Sequence, residues 1–443
     1  DFFKHSFFVK TNHINSSWGN SIKTYPKIYR PENTKEIIKI IKKKKNFTIQ
    51  GNGRSYGDVS LNFQNLIKTE KLTKILNFDK KNGIIEVESG LLLVDLLKTI
   101  LPLGWFIPVT PGTKYVSIGG MVANNVHGKN VKKNQLKYYI SQIKLLNLQG
   151  KIITSSNKKN KKLFDLTVGG FGLTGIILSV RIRLKKVFSN LIEQKIVEFK
   201  NYKEFYKAYS KNSQYEYAVS WIDSFNEDYI CGLHFFGKHS RTKEYVETKF
   251  KDIKIPFYTL AFLKIILANY FLNKLVNSIF RKYKSIFFKK ICTINEFFYP
   301  QDKFVDWNKV YGKRGFFELQ ILVSNKKFEK FLAEVSFFLK EKSFFPSFVI
   351  IKKINEQGKY LNFFGNGFSL SFDFLINKKT NNLVIFFNKM IKKYNLNVNL
   401  SKDLITNKSN VNYLKRYKMF KKNILYLDRK RKLESIFSKR LGL

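Results

Sequence analysis

Three glycine clusters constrain this chain more than any other feature. The first is Gly51-Asn52-Gly53-Arg54-Ser55-Tyr56-Gly57-Asp58, directly after the apolar stretch Phe47–Ile49. The second runs from Pro111-Gly112-Thr113 through Ser117-Ile118-Gly119-Gly120 and Asn124-Asn125-Val126 to His127-Gly128-Lys129-Asn130. The third, Gly169-Gly170-Phe171-Gly172-Leu173-Thr174-Gly175, leads into the segment Ile176–Leu184. Glycine lets the backbone approach a ligand closely, and successive N–H groups in such turns form nests for anionic oxygens. The first cluster is not a Walker A loop, which needs Gly-Lys-Ser/Thr. Nor is it a Rossmann GxGxxG, because no helical pattern follows it. Three such loops, each joined to a strand or helix, predict one extended ligand: a dinucleotide with a long ring system rather than a mononucleotide.

The segments around the clusters mix strands and helices. Ile75–Phe78 and Ile84–Val87 flank Lys81-Asn82-Gly83, and Lys144–Leu148 and Lys151–Thr154 flank Gln149-Gly150. Both read as hairpins, since Asn and Gly tolerate positive φ. Leu92–Leu101 has helical spacing and stops before Gly104, and Ser117 is placed to cap a helix. In Ile176–Leu184, Val180, Ile182 and Leu184 alternate with Arg181 and Arg183, the pattern of a half-buried strand.

Charge narrows the partner. The 443 residues carry 81 Lys+Arg against 32 Asp+Glu, a formal net charge of +49. Hydrophobic residues at 44% and aromatics at 16% are too many for a disordered polycation. Cys231 and Cys292 alone make neither a disulfide framework nor a zinc site, and no metal ligand set is expected. The charge calls for a polyanionic partner, nucleic acid or anionic lipid. The bases are dispersed rather than gathered in a nucleic-acid motif, which would also leave the glycine clusters unexplained, so no nucleic-acid partner is expected. Phe257–Ile291 lacks any acidic residue and sets Lys264, Lys274, Arg281, Lys282, Lys284, Lys289 and Lys290 among bulky apolar groups. It reads as an interfacial segment that meets an anionic membrane. Its alternative is a pair of core helices with a basic outer face. No window has the roughly 18 uncharged apolar residues of a membrane span. Asp1–Asn20 shows no signal-peptide core. Peripheral association with the cytoplasmic membrane follows as the expectation.

The ordered clusters resemble the FAD-binding domain of the vanillyl-alcohol-oxidase (PCMH-type) flavoprotein superfamily, and within it the decaprenylphosphoryl-ribose 2′-oxidase family. Gly51–Asp58 is similar to its GxGRSYGD, Val126–Asn130 to its HGKN and Val168–Ile177 to its VGGxGLTGII. Trp18-Gly19, Pro102–Gly112, Phe298-Tyr299-Pro300 with Asp302, Trp307-Asn308, Tyr311-Gly312, Ser401-Lys402-Asp403 and Lys439-Arg440-Leu441 are similar to its other motifs, so the likeness spans nearly the whole chain outside Lys238–Lys290. It implies an α+β fold. A PCMH-type FAD domain of two α/β subdomains would cover 1–188, and an α+β substrate (cap) domain 189–396, with the insert at 257–291. The segment 397–443 would return to the FAD domain.

The resemblance implies that FAD is held by Gly51, Asn52, Gly53, Arg54, Ser55, Tyr56, Gly112, Thr113, Gly119, Gly120, Asn124, His127, Gly128, Gly172, Thr174, Gly175 and Ile177. Many relatives attach flavin to a His where Arg54 stands. A guanidinium stays protonated and offers no nucleophile, so non-covalent FAD is expected. His127, Lys402 and Tyr56 are the implied catalytic set, any of which can orient or deprotonate a hydroxyl. Lys129, Trp221, Gln320, Lys353 and Asp373 are the implied substrate contacts. Ser371 stands where some family members have a pocket Cys, Asn125 replaces an acidic residue beside the HGKN turn, and Glu318 stands near a position often Gln. The implied reaction is oxidation of the 2′-hydroxyl of a polyprenyl-phosphoryl pentose, with a separate NAD(P)H-dependent reductase completing an epimerisation for cell-envelope glycan synthesis. An oxidase or dehydrogenase for sugar lactones or alditols is the alternative on the same fold.

Overall fold

The computed structural model describes residues 14–225, 229–242, 244–246, 253–254 and 256–443. Asp1–His13, on which most of the leader expectation falls, lie outside the described residues. The fold is α+β, as the resemblance implies.

A small parallel sheet comes first. Strands β1 (Lys27–Tyr29), β2 (Thr48–Gln50) and β3 (Asn65–Lys68) lie in the order β1-β3-β2. Helix α1 (Thr34–Lys43) makes the crossover. It starts at Asn33, whose side chain accepts from the Glu36 backbone N–H at 3.0 Å, and it buries Ile37 and Ile41, one turn apart. Strand β2 ends at Gln50 and hands the chain straight to the first glycine cluster.

The second sheet is antiparallel. Strands β4 (Ile75–Asp79), β5 (Ile84–Glu88), β6 (Ile140–Leu146), β7 (Ile152–Ser155) and β8 (Ile176–Arg183) run in the order β7-β6-β8-β5-β4. Its two hairpins turn at Gly83 and Gly150, with φ of 65° and 84°, a region that favours glycine. Val180 and Ile182 are buried, Arg183 is exposed, and Arg181 pairs with Glu86 at 2.8 Å, so the alternation read from sequence sets the faces. Helices α2 (Leu93–Ile100) and α3 (Ile118–Ala123) pack on this sheet. The Ser117 hydroxyl caps α3 by accepting from Gly120 N–H.

The third sheet is the largest. Strands β9 (Leu191–Phe199), β10 (Tyr217–Phe225), β11 (Ile230–His239), β12 (Ile291–Thr293), β13 (Phe316–Val323), β14 (Phe348–Glu356), β15 (Gly365–Leu375) and β16 (Asn397–Val398) form an antiparallel array, β12-β9-β11-β10-β14-β15-β13-β16. Helices α4 (Tyr202–Lys211), α8 (Phe328–Glu341) and α9 (Thr380–Tyr394) cover one face through Phe205, Phe331 and Phe387, packing on Ile351, Leu370 and Phe372. Between α4 and α8 come α5 (Phe257–Ala268), α6 (Tyr270–Ile286) and α7 (Ile294–Phe298). Because side chains alternate along a strand, the opposite face carries Trp221, Glu318, Gln320, Lys352, Ser371 and Asp373, and α6 packs over its Trp221 end.

The chain then returns to its start. After α10 (Lys415–Leu427), Phe47 N–H donates to Lys432 O and Glu434 N–H donates to Phe47 O, both at 2.9 Å. Helix α11 (Ile436–Leu441) carries Arg440 inward. Its guanidinium reaches Asp58 at 2.8 and 2.9 Å and Asp403 at 2.9 Å, and all three side chains are buried.

Candidate functional site

A long cleft runs between the first two sheets. All three glycine clusters line it, with Gly51 to Tyr56 after β2, Gly112 and Thr113 before α3, Gly119, Gly120 and Asn124 on α3, and Gly172, Gly175 and Ile177 entering β8. The glycines serve different ends. A Cβ on Gly51 would fall 1.9 Å from Ser117 Oγ, so the loop presses on the cap of α3. A Cβ on Gly112 or Gly172 would meet no protein atom within 4 Å, so those two faces are open to a ligand. Arg54 stacks over Trp18 at 3.9 Å. Burial lowers its pKa while Asp302 and Asp306 oppose that shift. Asp302 also accepts from Lys114 N–H at 2.7 Å, which ties the loop before α3 to the segment that follows α7.

At one end the cleft meets the face of the third sheet that α4, α8 and α9 leave free. Lys402 lines the cleft, donates to Glu318 at 2.6 Å and lies 5.2 Å from the Tyr56 ring centre. Glu318 pairs across the strands with Asp373. The Asp373 carboxyl is held well above the usual carboxylate range, by burial first and the Glu318 charge second, with Lys402 opposing. Burial pushes the Tyr56 hydroxyl well up, and Glu318 and Asp373 add to it, so the phenol keeps its proton. Lys352 is pushed down to about 7 by burial, with Lys402 and Lys129 adding and Glu318 opposing.

His127 joins this group through Gln320. The Gln320 amide nitrogen donates to Ser369 Oγ at 2.8 Å, which turns Oε1 toward Asn399 Nδ2 at 2.7 Å and His127 Nε2 at 3.2 Å. An amide oxygen only accepts, so the network assigns the imidazole proton to Nε2 and the lone pair to Nδ1. Nδ1 is buried and has no hydrogen-bond partner. Burial, then Lys352 and Lys402, hold His127 well below its ordinary pKa, so the ring is neutral.

Several expected residues stand elsewhere. Lys353 is on the helix-covered face, 6.0 Å from the Tyr209 ring centre. The lysine that faces the site is its neighbour Lys352. Lys129 donates to the Phe297 carbonyl and lies over the Phe297 ring at 4.9 Å, so its ammonium is bound inside the protein. Trp221 shares the face of Gln320 but is buried beside Leu233 and meets Phe280 of α6 edge-on at 5.3 Å, three strands away. Thr174 donates to Thr167 at 3.0 Å, and neither it, His127 nor Gly128 lines the cleft. His127 belongs to the group on the third sheet, and Gly128 packs on the Thr110 carbonyl. Sequence reasoning passed over Lys352 because it could not tell which of two adjacent lysines faces inward. It also gave no role to Trp18, Gln301 or Trp307, which line the cleft. They lie in motifs already noted, at Trp18-Gly19, Pro300 to Asp302 and Trp307-Asn308.

Comparison with known proteins agrees with this geometry. Residues 26–156 match the family described as FAD binding domain. The chain is 25% identical to decaprenylphosphoryl-beta-D-ribose oxidase of Mycolicibacterium smegmatis, over 71% of this chain and 72% of that protein. It is 24% identical to a putative D-arabinono-1,4-lactone oxidase of Neurospora crassa and 26% identical to L-gulonolactone oxidase of Scyliorhinus torazame, covering 39% and 42% of those proteins. The chain thus carries a PCMH-type FAD binding domain and is an FAD-dependent oxidoreductase. The cleft fits that cofactor. Arg54 Nε, Ser89 Oγ and Asn124 Oδ1 are buried on its lining without a hydrogen-bond partner, as donors and acceptors awaiting a polar ligand would be.

Proposed function

We propose that the protein oxidises the 2′-hydroxyl of a polyprenyl-phosphoryl pentose to a keto sugar. The observation that carries this reading is that Lys402 and Tyr56, which line the FAD cleft, have Lys352 and His127 beside them on the adjoining sheet face. When bound, FAD supplies the acceptor for the hydride that leaves the carbinol carbon. The chain's own groups do the rest. The Lys352 ammonium holds the phosphodiester, and binding that anion draws a proton back onto an amine whose pKa burial has lowered. The Tyr56 phenol, kept protonated, donates to the sugar oxygen. His127 Nδ1 accepts the hydroxyl proton, with its orientation set by Gln320 and Ser369. Lys402, fixed by Glu318, stands next to the sugar and is not free to act as the base.

The likeness to the mycobacterial oxidase over most of both chains supports the lipid-linked sugar. A keto sugar of this kind calls for a separate NAD(P)H-dependent reductase if the sequence ends in epimerisation. Borodeuteride trapping of the product tests the reading. Deuterium at C2′ of the recovered pentose is the expected result. Deuterium elsewhere on the ring, or turnover only with free lactones or alditols, overturns it.

A further inference from the structure

Helix α6 is built inside out. Its sheet-facing side is polar. Asn273 is buried, and Arg281 forks onto Glu198 at 2.6 Å and Asp223 at 2.8 Å. Its outward side is apolar. Phe271, Leu275, Val276, Ile279, Tyr283 and Ile286 are between 42% and 77% exposed. At the helical angle of about 100° per residue they fall on one arc of about 140°. Phe262 and Ile265 of α5 are also exposed. Soluble surface helices turn such a face to the core, so an outward apolar ridge marks a docking surface.

We infer that the α5–α6 hairpin docks on an anionic lipid bilayer. Charge complementarity selects that occupant. Lys264, Lys274, Lys282, Lys289 and Lys290 accompany the ridge, and no acidic residue occurs from Phe257 to Ile291. Apolar side chains enter the acyl boundary while ammonium groups meet lipid phosphates. A second copy fits less well, because a two-fold contact would bring one basic rim against another. Among the described residues no helix is long and apolar enough to cross a membrane, so the contact is interfacial. The position suits the chemistry. Helix α5 packs on the segment Trp307–Tyr311, whose Trp307 lines the cleft, and α6 covers part of the sheet face that carries Lys352. The docked hairpin therefore sets the cleft beside the bilayer. Docking stands on its own observations, and delivery of a lipid-linked substrate rests on the proposed reading.

Flavin-loaded protein sedimented with phosphatidylglycerol or phosphatidylcholine vesicles tests this. The expected result is binding to phosphatidylglycerol that salt weakens. Each Lys→Gln change at Lys274 or Lys282 costs about fivefold. The double variant L275S/I279S costs at least about tenfold, with unchanged flavin absorbance and unchanged flavin reduction by a detergent-solubilised substrate. Equal vesicle binding by that variant overturns docking. So does a parent that ignores vesicles yet forms a dimer which L275S/I279S splits. Vesicle binding without flavin reduction by polyprenyl-phosphoryl pentose removes the substrate reading and leaves docking intact.

Discussion

Two adjacent residues, Lys352 and Lys353, show how much chemistry rests on strand parity. One faces Lys402 and Glu318, and the other faces helix α4. Because burial holds the Lys352 pKa near about 7, its ammonium is lost from the free enzyme above that pH. The free-enzyme profile of kcat/KM for a phosphorylated substrate should therefore fall as pH rises through 7. Lys352→Met should flatten that limb and lower kcat/KM by about tenfold to a hundredfold, the worth of a charged hydrogen bond. The linkage has the opposite sign for stability. Between about 7 and the ordinary 10.5 the unfolded chain binds more protons than the folded one, so stability rises with pH across that window. His127→Ala should slow flavin reduction by about 10²- to 10⁴-fold in stopped-flow traces, with flavin content unchanged. The family resemblance marked His127, Lys402 and Tyr56 together, because each lies in a short motif of its own. It left the base open because the contacts that bear on it, His127 with Gln320 and Lys402 with Glu318, are long-range.

At the scale of elements, the local patterns were legible. The Asn82-Gly83 and Gln149-Gly150 turns sit between paired strands, and Ser117 caps its helix. These depend on neighbours in sequence, which a reader of the sequence has in hand. The helix Tyr270–Ile286 was legible as basic and apolar but not in its orientation. Which face turns outward is set by Arg281 reaching Glu198 and Asp223, both distant in the chain. The glycine clusters make a sharper prediction. Gly112 has open space where its side chain would be. Gly112→Val should leave the thermal midpoint of the flavin-free protein unchanged. It should weaken FAD binding by about tenfold to a hundredfold in a fluorescence titration, because the added bulk meets the ligand and not the protein. A drop in the midpoint with unchanged affinity would make the glycine a folding requirement instead.

The whole molecule is closed by one buried cation. Arg440 joins Asp58 of the first glycine cluster to Asp403 beside Lys402. The three residues stood in three separate motifs, and no local pattern pairs positions so far apart. Removing one partner strands buried charge, so Arg440→Ala should cost about 3–5 kcal/mol in urea unfolding of the holoenzyme. Arg440→Lys should recover little, since an ammonium does not reproduce the fork on both carboxylates. The net charge of +49 takes its place at this scale too. Part of it borders the apolar ridge of α6, and a few charges, Arg54, Lys352 and Lys402, belong to the cleft and the sheet face beside it. No histidine or cysteine lines the cleft among the described residues, so acid precipitation should release the flavin into the supernatant. The most direct test of the account is anaerobic mixing of the flavin-loaded protein with polyprenyl-phosphoryl ribose, followed at the flavin absorbance band. The account predicts that the band bleaches with this substrate and far more slowly with the phosphate-free sugar. Bleaching by free lactones alone, with the lipid-linked sugar inert, would contradict it.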